Sequence, residues 1–575
     1  MKRAPDDFAA RFRPRMQFAA ALFAVGGAAL VARAVDLQFL DQAFFASQGD
    51  ARQMRVVEIA AHRGTITDRR GEPLAVSSPV DSVWVNPREL RQAPAEVPRL
   101  AAALKRDPEW LMRAVSARPD REFLYVRRHL PPAEARAIAA LGIPGVYLQR
   151  EYRRFYPAGE VASHVLGFTD IDDTGQEGLE LAYEHWLSGE HGAKRIRRDR
   201  LGNVIEDVES IHEPQPGRDL KTSLDLRIQY LAYRELKRAV QAHRAKAGSM
   251  VVLDVRTGEV LAMVNQPSYN PNDRAQLTPD RYRNRATNDI FEPGSSIKPL
   301  LVAAALESGR YTPTSIIDTN PGWITVGAKT IEDHHNLGRV DLTTVLARSS
   351  NVAATRIALS LDAEQLWSLL RRFGVGELSA TGFPGESAGV LMAPDLWKPI
   401  SQATLSYGYG LSMTPLQLAH AYATLAGGGL SRPVSLLALD APAQGASRAV
   451  GEGTARAVLR MLEAVVATGG TAPQAAIAGY TVAGKTGTAR KFTVGGYHAD
   501  RYVSVFAGAA PASDPRLAAV VMLDEPSAGE YYGGSVAGPV FSRVIGDALR
   551  ILGIPPDDGA RAQPLGTLVQ ALRQP

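Results

Sequence analysis

The sequence predicts an α+β, multidomain protein, and three observations carry that expectation. A chain of 575 residues is too long for a single hydrophobic core and points to two or three domains. The stretch HEPQPGRD (His212 to Asp219) marks a change from an Arg-rich part of mixed pattern to a part built of regular elements. In that second part, strand-like runs stand at both ends of a long helical middle, so one sheet is completed from both ends of a domain.

Taken in order, residues 1–15 hold five basic residues against Asp6 and Asp7, a net of +3, and form a short tail. The apolar run FAAALFAVGGAALVA (Phe18 to Ala32) follows, and Ala34 and Val35 extend it past Arg33. About 20 residues span a bilayer, so 16–35 reads as a membrane anchor with Arg33 reaching the interface. The basic flank comes first, which keeps the tail cytoplasmic and exports the rest. Ala32-Arg33-Ala34 resembles a signal-peptide cleavage site, but the arginine counts against cutting, so the anchor is expected to be retained.

From 36 to 215 the pattern is mixed, with a strand at SVWVN (Ser82 to Asn86) and a helix at PAEARAIAALG (Pro132 to Gly142). SMVVLDV and EVLAMV then form a hairpin through Arg256-Thr257-Gly258. Helices dominate from about 295 to 470, and strands return at YVSVFAGAA (Tyr502 to Ala510) and LAAVVML (Leu517 to Leu523). This domain is bounded at 216–553, and 554–575 reads as a flexible tail.

Composition removes several function classes. There is no cysteine, hence no disulfide and no thiolate metal site, which fits an exported chain. A net charge of +5 over this length gives no support to a nucleic-acid partner. His334-His335 beside Asp333 lack a further spaced ligand and read as a polar loop, so neither a metal nor another cofactor is expected. The basic run KRIRRDR (Lys194 to Arg200) reads as a solvated or salt-bridged face.

Three short motifs carry chemistry. In FEPGSSIKPLLVAAALESG, Pro293-Gly294 make a turn and Ile297, Leu300, Leu301 and Ala304 repeat at helical spacing. That puts Ser295 at a helix start with Lys298 one turn on, on the same face. A serine hydroxyl needs a base, and a lysine held in a low-dielectric site beside other cations can lose its proton and serve as one. Ser349-Ser350-Asn351 offers a proton relay in Ser349 and a substrate-amide ligand in Asn351. The other S-x-N, Ser268-Tyr269-Asn270, reads as a turn. Lys485-Thr486-Gly487 supplies a third wall. Lys485 brings charge for a substrate carboxylate, Gly487 leaves room for substrate backbone, and the amide of Thr488 joins that of Ser295 in an oxyanion hole. Each motif is weak alone; their order within one domain-sized span is a strong signal of an active-site serine.

Gly479–Thr486 also satisfies the P-loop pattern, with VVMLDEP (Val520 to Pro526) as the acid-bearing strand. Tyr480, Thr481 and Val482 are β-formers where a turning loop is needed, and Gly487 falls where a helix should propagate. Only about 90 residues follow Lys485, too few for the expected βα units. A nucleotide-binding protein is therefore the runner-up from another class.

With these residues in place, the chain resembles the class B penicillin-binding proteins, the division-specific peptidoglycan transpeptidases. The likeness rests on EPGSSIKP, SSN and KTGTARK. It extends to AHRGTITDRRGEPLA (Ala61 to Ala75), YPAGEVASHVLGFTDIDDTGQEGLE (Tyr156 to Glu180), RDRLGNVIED, GFPGE and YYGGSVAGPVF. The chain departs from the pattern at Asp172-Asp173, where Asp-Gly is common, and at Arg490, where Lys is frequent.

The resemblance implies a transpeptidase domain over 216–553, an antiparallel sheet flanked by helices. It implies that 36–215 is a pedestal domain holding the catalytic part off a bacterial inner membrane, on the periplasmic side. Ser295 would attack the D-Ala-D-Ala bond of a peptidoglycan stem peptide, with Lys298 as base and Ser349 as relay. Lys485, Thr486 and Thr488 would grip the carboxylate. β-Lactams would acylate the same serine. A separate membrane glycan polymerase and other division proteins would be partners. An elongation-type transpeptidase and a β-lactamase are the alternatives closest in chemistry.

Overall fold

The computed structural model describes residues 8–36, 54–117, 121–198, 204–273, 275, 277–441, 444–493 and 495–558. The first seven residues of the expected tail, part of RDRLGNVIED and of KRIRRDR (199–203), and the C-terminus beyond 558 lie outside them. Helix α1 (Phe8–Val35) is long and apolar enough to cross a membrane by length and composition. Arg33 pairs with Asp36 at its end.

The chain divides into two compact units. The first takes Met1–His62, Pro79–Tyr152 and Gly189–Pro216. Its core gathers Val83, Val85, Leu90, Leu100, Leu111, Val126 and Ile138, where short helices (Val97–Ala103, Pro108–Ser116, Pro132–Ala139) cover antiparallel strand pairing of Asp81–Val85 with Leu124–Leu130. The expected helix at 132–142 thus forms, and SVWVN lies in the strand Pro73–Val85. A separate antiparallel sheet joins Met54–Ile59, Gly192–Arg198 and Val204–His212.

The second unit takes Arg63–Ser78, Arg153–Ser188 and everything from Gly217. Two stretches of the range assigned to the pedestal therefore cluster with the catalytic residues. They are joined by buried charge: Arg63 and Arg154 each donate to the Glu180 carboxylate, at 2.7 and 2.6 Å, with all three side chains at most 1% exposed. Arg63 also pairs with Glu184. Asp173, at the position where glycine is common, takes φ +64°, the left-handed conformation that costs a non-glycine residue about 1 kcal/mol. Ser268-Tyr269-Asn270 is structural as expected: Ser268 Oγ donates to Glu160, and the Tyr269 hydroxyl to the Ser163 carbonyl.

The sheet of the second unit has strands β1 (Ala247–Asp254), β2 (Val260–Gln266), β3 (Ala483–Thr493), β4 (Gly496–Ala510) and β5 (Leu517–Asp524), in the spatial order β2-β1-β5-β4-β3 and antiparallel throughout. The early hairpin and the three late strands are completed into one sheet, as the sequence pattern requires. Every residue of β1 and β2 is buried, because helices cover both faces. Helices α2 (Leu226–Ala242) and α7 (Gly538–Ile551) pack together against β1, β2 and β5, while α5 (Pro415–Ala426) and α6 (Glu452–Val466) cover β1, β3 and β5. VVMLDEP belongs to β5, a central strand.

Two local expectations need correction. The helical middle also contains four short strands between Ile316 and Asp341. The loose tail does not begin at 554: the Tyr480 hydroxyl donates to the Ile554 carbonyl at 2.7 Å, and Asp557 accepts from the Thr481 amide at 2.8 Å. Residues 554–558 are thus bound to the approach of β3.

Candidate active site

The turn that bears Ser295 is built by glycine and held by neighbours. Gly294, at φ +54°, opens a 3₁₀ turn (Gly294–Ile297) that runs into α3 (Lys298–Glu307). Gly408 meets this turn so closely that a Cβ there would lie 2.1 Å from the Gly294 carbonyl oxygen. Ser296 is fully buried and donates to the Pro293 carbonyl, a structural role, whereas Ser295 is half-buried.

Lys298 is fully buried. Its Nζ donates to the Ser349 carbonyl at 2.6 Å, to Asn351 Oδ1 at 2.8 Å and to Ser349 Oγ at 3.3 Å. The S-x-x-K and S-x-N motifs therefore meet on one nitrogen. Burial, and then the charge of Lys485, push Lys298 well below the usual lysine range, while Asp333 opposes them. Lys485 is also fully buried, and burial lowers it to about 7. Two lysines poised to lose charge at one site is the arrangement a serine-activating base needs.

Ser349 takes φ +59°, just ahead of helix α4 (Asn351–Ser360). Ser350 caps that helix, accepting from the Ala353 amide at 2.9 Å. The Asp333 carboxylate accepts from the Ser350 hydroxyl and from the amides of Asn351 and Val352. Sequence reasoning assigned Asp333 to a polar loop. It is the group that anchors the S-x-N turn and the acid that opposes deprotonation of Lys298. No signal marks it, because the cap acts across 17 to 19 residues of chain.

The K-T-G residues lie in β3, at the sheet edge, paired in register with β4 (Lys485 with Ala507, Thr486 with Phe506, Gly487 with Val505). A strand here, rather than a helix start, removes the P-loop reading of Gly479–Thr486. Lys485 Nζ donates to Thr486 Oγ1 at 3.2 Å, which donates to Thr471 Oγ1 at 3.2 Å. The space beside Gly487 is used differently from expectation. A Cβ there would meet the Pro293 carbonyl oxygen at 2.5 Å, so the glycine admits the nucleophile turn rather than substrate backbone. A Cβ on Gly294 would lie 3.4 Å from the Thr488 amide nitrogen, which brings that amide beside the turn bearing Ser295.

Other contributors escaped the sequence reading. The Tyr409 hydroxyl accepts from the Arg490 amide at 3.0 Å, and the Gly533 amide donates to Thr488 Oγ1 at 3.1 Å. Tyr502, Tyr531 and Tyr532 stack beside them, with ring centroids 4.2 and 4.6 Å apart. Glu292 Oε1 holds the Gly410 amide at 2.8 Å and the Tyr497 hydroxyl at 2.9 Å. The repeats YGYG and YYGG were the visible signals. Among the described residues no cluster of three or more metal-ligating side chains occurs.

A serine on a helix-initiating turn, a buried lysine one turn on that bonds the S-x-N turn, and a K-T-G edge strand define an active-site-serine acyltransferase. Comparison with known proteins gives the same class. Residues 248–546 match the penicillin binding protein transpeptidase domain, and residues 58–222 match the penicillin-binding protein dimerisation domain. The chain is 42% identical to a probable peptidoglycan D,D-transpeptidase, PbpC, of Pseudomonas aeruginosa over 537 residues, 93% of this chain and 95% of that one. It is likewise 42% identical to the peptidoglycan D,D-transpeptidase FtsI of Escherichia coli over 533 residues, 92% of this chain and 90% of that one. The TP domain of Burkholderia pseudomallei penicillin-binding protein 3 superposes with a TM-score of 0.54 at 42% identity, covering 58% of this chain and 97% of that domain. The chain belongs to the penicillin-binding protein transpeptidase family.

Proposed function

We propose that the chain is a septal peptidoglycan D,D-transpeptidase, a serine enzyme that cross-links stem peptides during cell division and is a target of β-lactams. The single observation that supports this reading most is the pair of fully buried lysines, Lys298 and Lys485, of which the first bonds both residues of the S-x-N turn. Lys298 takes the Ser295 proton as the hydroxyl attacks the D-Ala-D-Ala carbonyl. The amides of Ser295 and Thr488 stabilise the oxyanion. Ser349 relays a proton to the departing D-alanine, and Asn351 holds the donor peptide. Lys485, Thr486 and Thr488 hold the terminal carboxylate. An amine of a second stem then takes the acyl group.

The apolar helix α1 anchors the chain in a bacterial inner membrane, with the tail cytoplasmic and the catalytic unit periplasmic. A separate membrane glycan polymerase and other division proteins are its partners.

The test is a time course of intact mass after adding a β-lactam to wild type and to Ser295→Ala. A persistent adduct that requires Ser295 supports the reading. An adduct that clears within seconds identifies a hydrolase, and absence of any adduct on folded wild type removes the serine mechanism.

A further inference from the structure

One guanidinium is enough to neutralise a buried carboxylate. Glu235 of α2 is 2% exposed and takes three. Arg234 Nε donates to its Oε1 at 2.9 Å, Arg543 Nε to its Oε2 at 2.7 Å, and Arg238 Nη1 lies 3.3 Å from both oxygens. Three cations on one anion leave an excess of two positive charges at the seam of α2 and α7. Neighbouring charge does not offset it. Arg227 is paired with Asp225, Lys237 with Glu160, and Asp547 of α7 with Arg550.

The cluster is held in place and still open. Arg234 and Arg543 each use Nε on Glu235, and among the described residues no hydrogen bond engages their terminal amino groups. The side chains of Arg234, Arg238 and Arg543 are 43%, 63% and 48% exposed. The shared carboxylate therefore orients planar forks whose outer edges match the oxygens of a second anion. Because these side chains are already ordered, a ligand loses little entropy in fixing them.

The surroundings choose between a lipid surface and a protein. Tyr230 and Gln241 share the outward stripe of α2 with Arg234 and Arg238, at spacings of three and four, and Tyr230 is half-exposed. Tyr230 is also the only exposed large apolar side chain on α2, so the stripe has nothing to sink into a headgroup layer. Arginine beside tyrosine is instead the composition of a protein–protein contact. We propose that the seam of α2 and α7 docks an acidic segment of a partner protein, whose carboxylates pair with Arg234, Arg238 and Arg543 while its backbone lies over Tyr230. The site is independent of whichever reaction Ser295 performs.

The test uses the full chain held in phosphatidylcholine nanodiscs, with deca-glutamate, deca-glutamine and phosphatidylglycerol vesicles as probes. Binding of fluorescent deca-glutamate is compared among wild type, Arg234→Gln/Arg543→Gln and Arg256→Gln/Arg456→Gln. The last removes the same charge from exposed arginines outside the cluster. Losing hydrogen bonds between charged groups should weaken binding to the cluster variant by about tenfold or more, while the control variant stays within about twofold. Glu235 keeps Arg238 in the cluster variant, and an unchanged rate of β-lactam acylation reports its fold. Equal weakening in both variants overturns the inference, because net charge alone would then carry the binding. Deca-glutamine that binds as well as deca-glutamate overturns it too. So does vesicle binding without peptide binding, which would assign the seam to lipid, and so does wild type that binds no deca-glutamate at physiological ionic strength.

Discussion

The Nζ of Lys298 sits 2.8 Å from Oδ1 of Asn351, so the S-x-x-K lysine and the S-x-N asparagine share one hydrogen bond. A neutral acceptor there orients the lysine without fixing its charge. Asn351→Asp would place a full negative charge at hydrogen-bond distance and favour the ammonium. Acylation by a β-lactam near neutral pH should fall by about tenfold or more and recover at alkaline pH. A rate–pH profile of the variant checks this; a uniform loss at all pH values would show that geometry, not protonation, was disturbed.

Lys485 acts on the same proton from the other direction. Its charge helps to depress Lys298, so Lys485→Met should move the ascending limb of the acylation profile to higher pH. The limb belongs to the coupled pair, and its displacement is the readout. Stability follows with a defined sign. Between about 7 and 10.5 the unfolded chain holds a proton on Lys485 that the folded chain lacks, so wild-type stability rises with pH through that window. Urea unfolding of Lys485→Met should show a flatter dependence there.

Asp333 opposes the depression of Lys298, so its removal has the reverse sign. Asp333→Ala should shift the ascending limb to lower pH. The variant also loses the cap on α4, a cost of about 1–2 kcal/mol that thermal unfolding would register.

Gly487→Ala separates approach from chemistry. The added Cβ would stand 2.5 Å from the Pro293 carbonyl oxygen, so β3 and the nucleophile turn must part. A misplacement near 1 Å costs on the order of a hundredfold, and acylation should fall by about that factor while circular dichroism stays native. An unfolded variant would instead show that the contact holds the domain together.

Asp173 supplies a pH test away from the site. Burial raises its carboxyl from 3.8 to about 6, so between those values the folded chain holds a proton that the unfolded chain has lost. Its contribution is full below 3.8 and is lost as pH rises through 6. Asp173→Asn, which cannot ionise, should be more stable than wild type at pH 7 by about 3 kcal/mol and close to it below pH 4. Urea unfolding at both pH values decides it.

The sequence exposed what depends on short spacing. Ser295 and Lys298 are three residues apart on one turn, and strands β1, β2, β4 and β5 are runs of apolar β-formers, so both were legible. Contacts made across distance were not. Arg63 meets Glu180 over 117 residues of chain, and no local pattern assigns either to the catalytic unit. Asp333 caps a helix from a separate loop. Gly487 reads as empty space until the turn that fills it is placed. The strands between Ile316 and Asp341 are only three or four residues long, below what period-2 alternation can mark.

The order of β2-β1-β5-β4-β3 sets a timetable for synthesis. When residue 480 leaves the ribosome, Ser295, Lys298 and Ser349 are all present, but β1 still has an open edge and nothing faces the serine. The nascent chain is therefore inert towards substrate, and it carries a sticky strand that waits for β5. Acylation competence arrives only when the last tenth or so of the polypeptide closes the sheet. A truncated product should be an aggregate, never a weak enzyme.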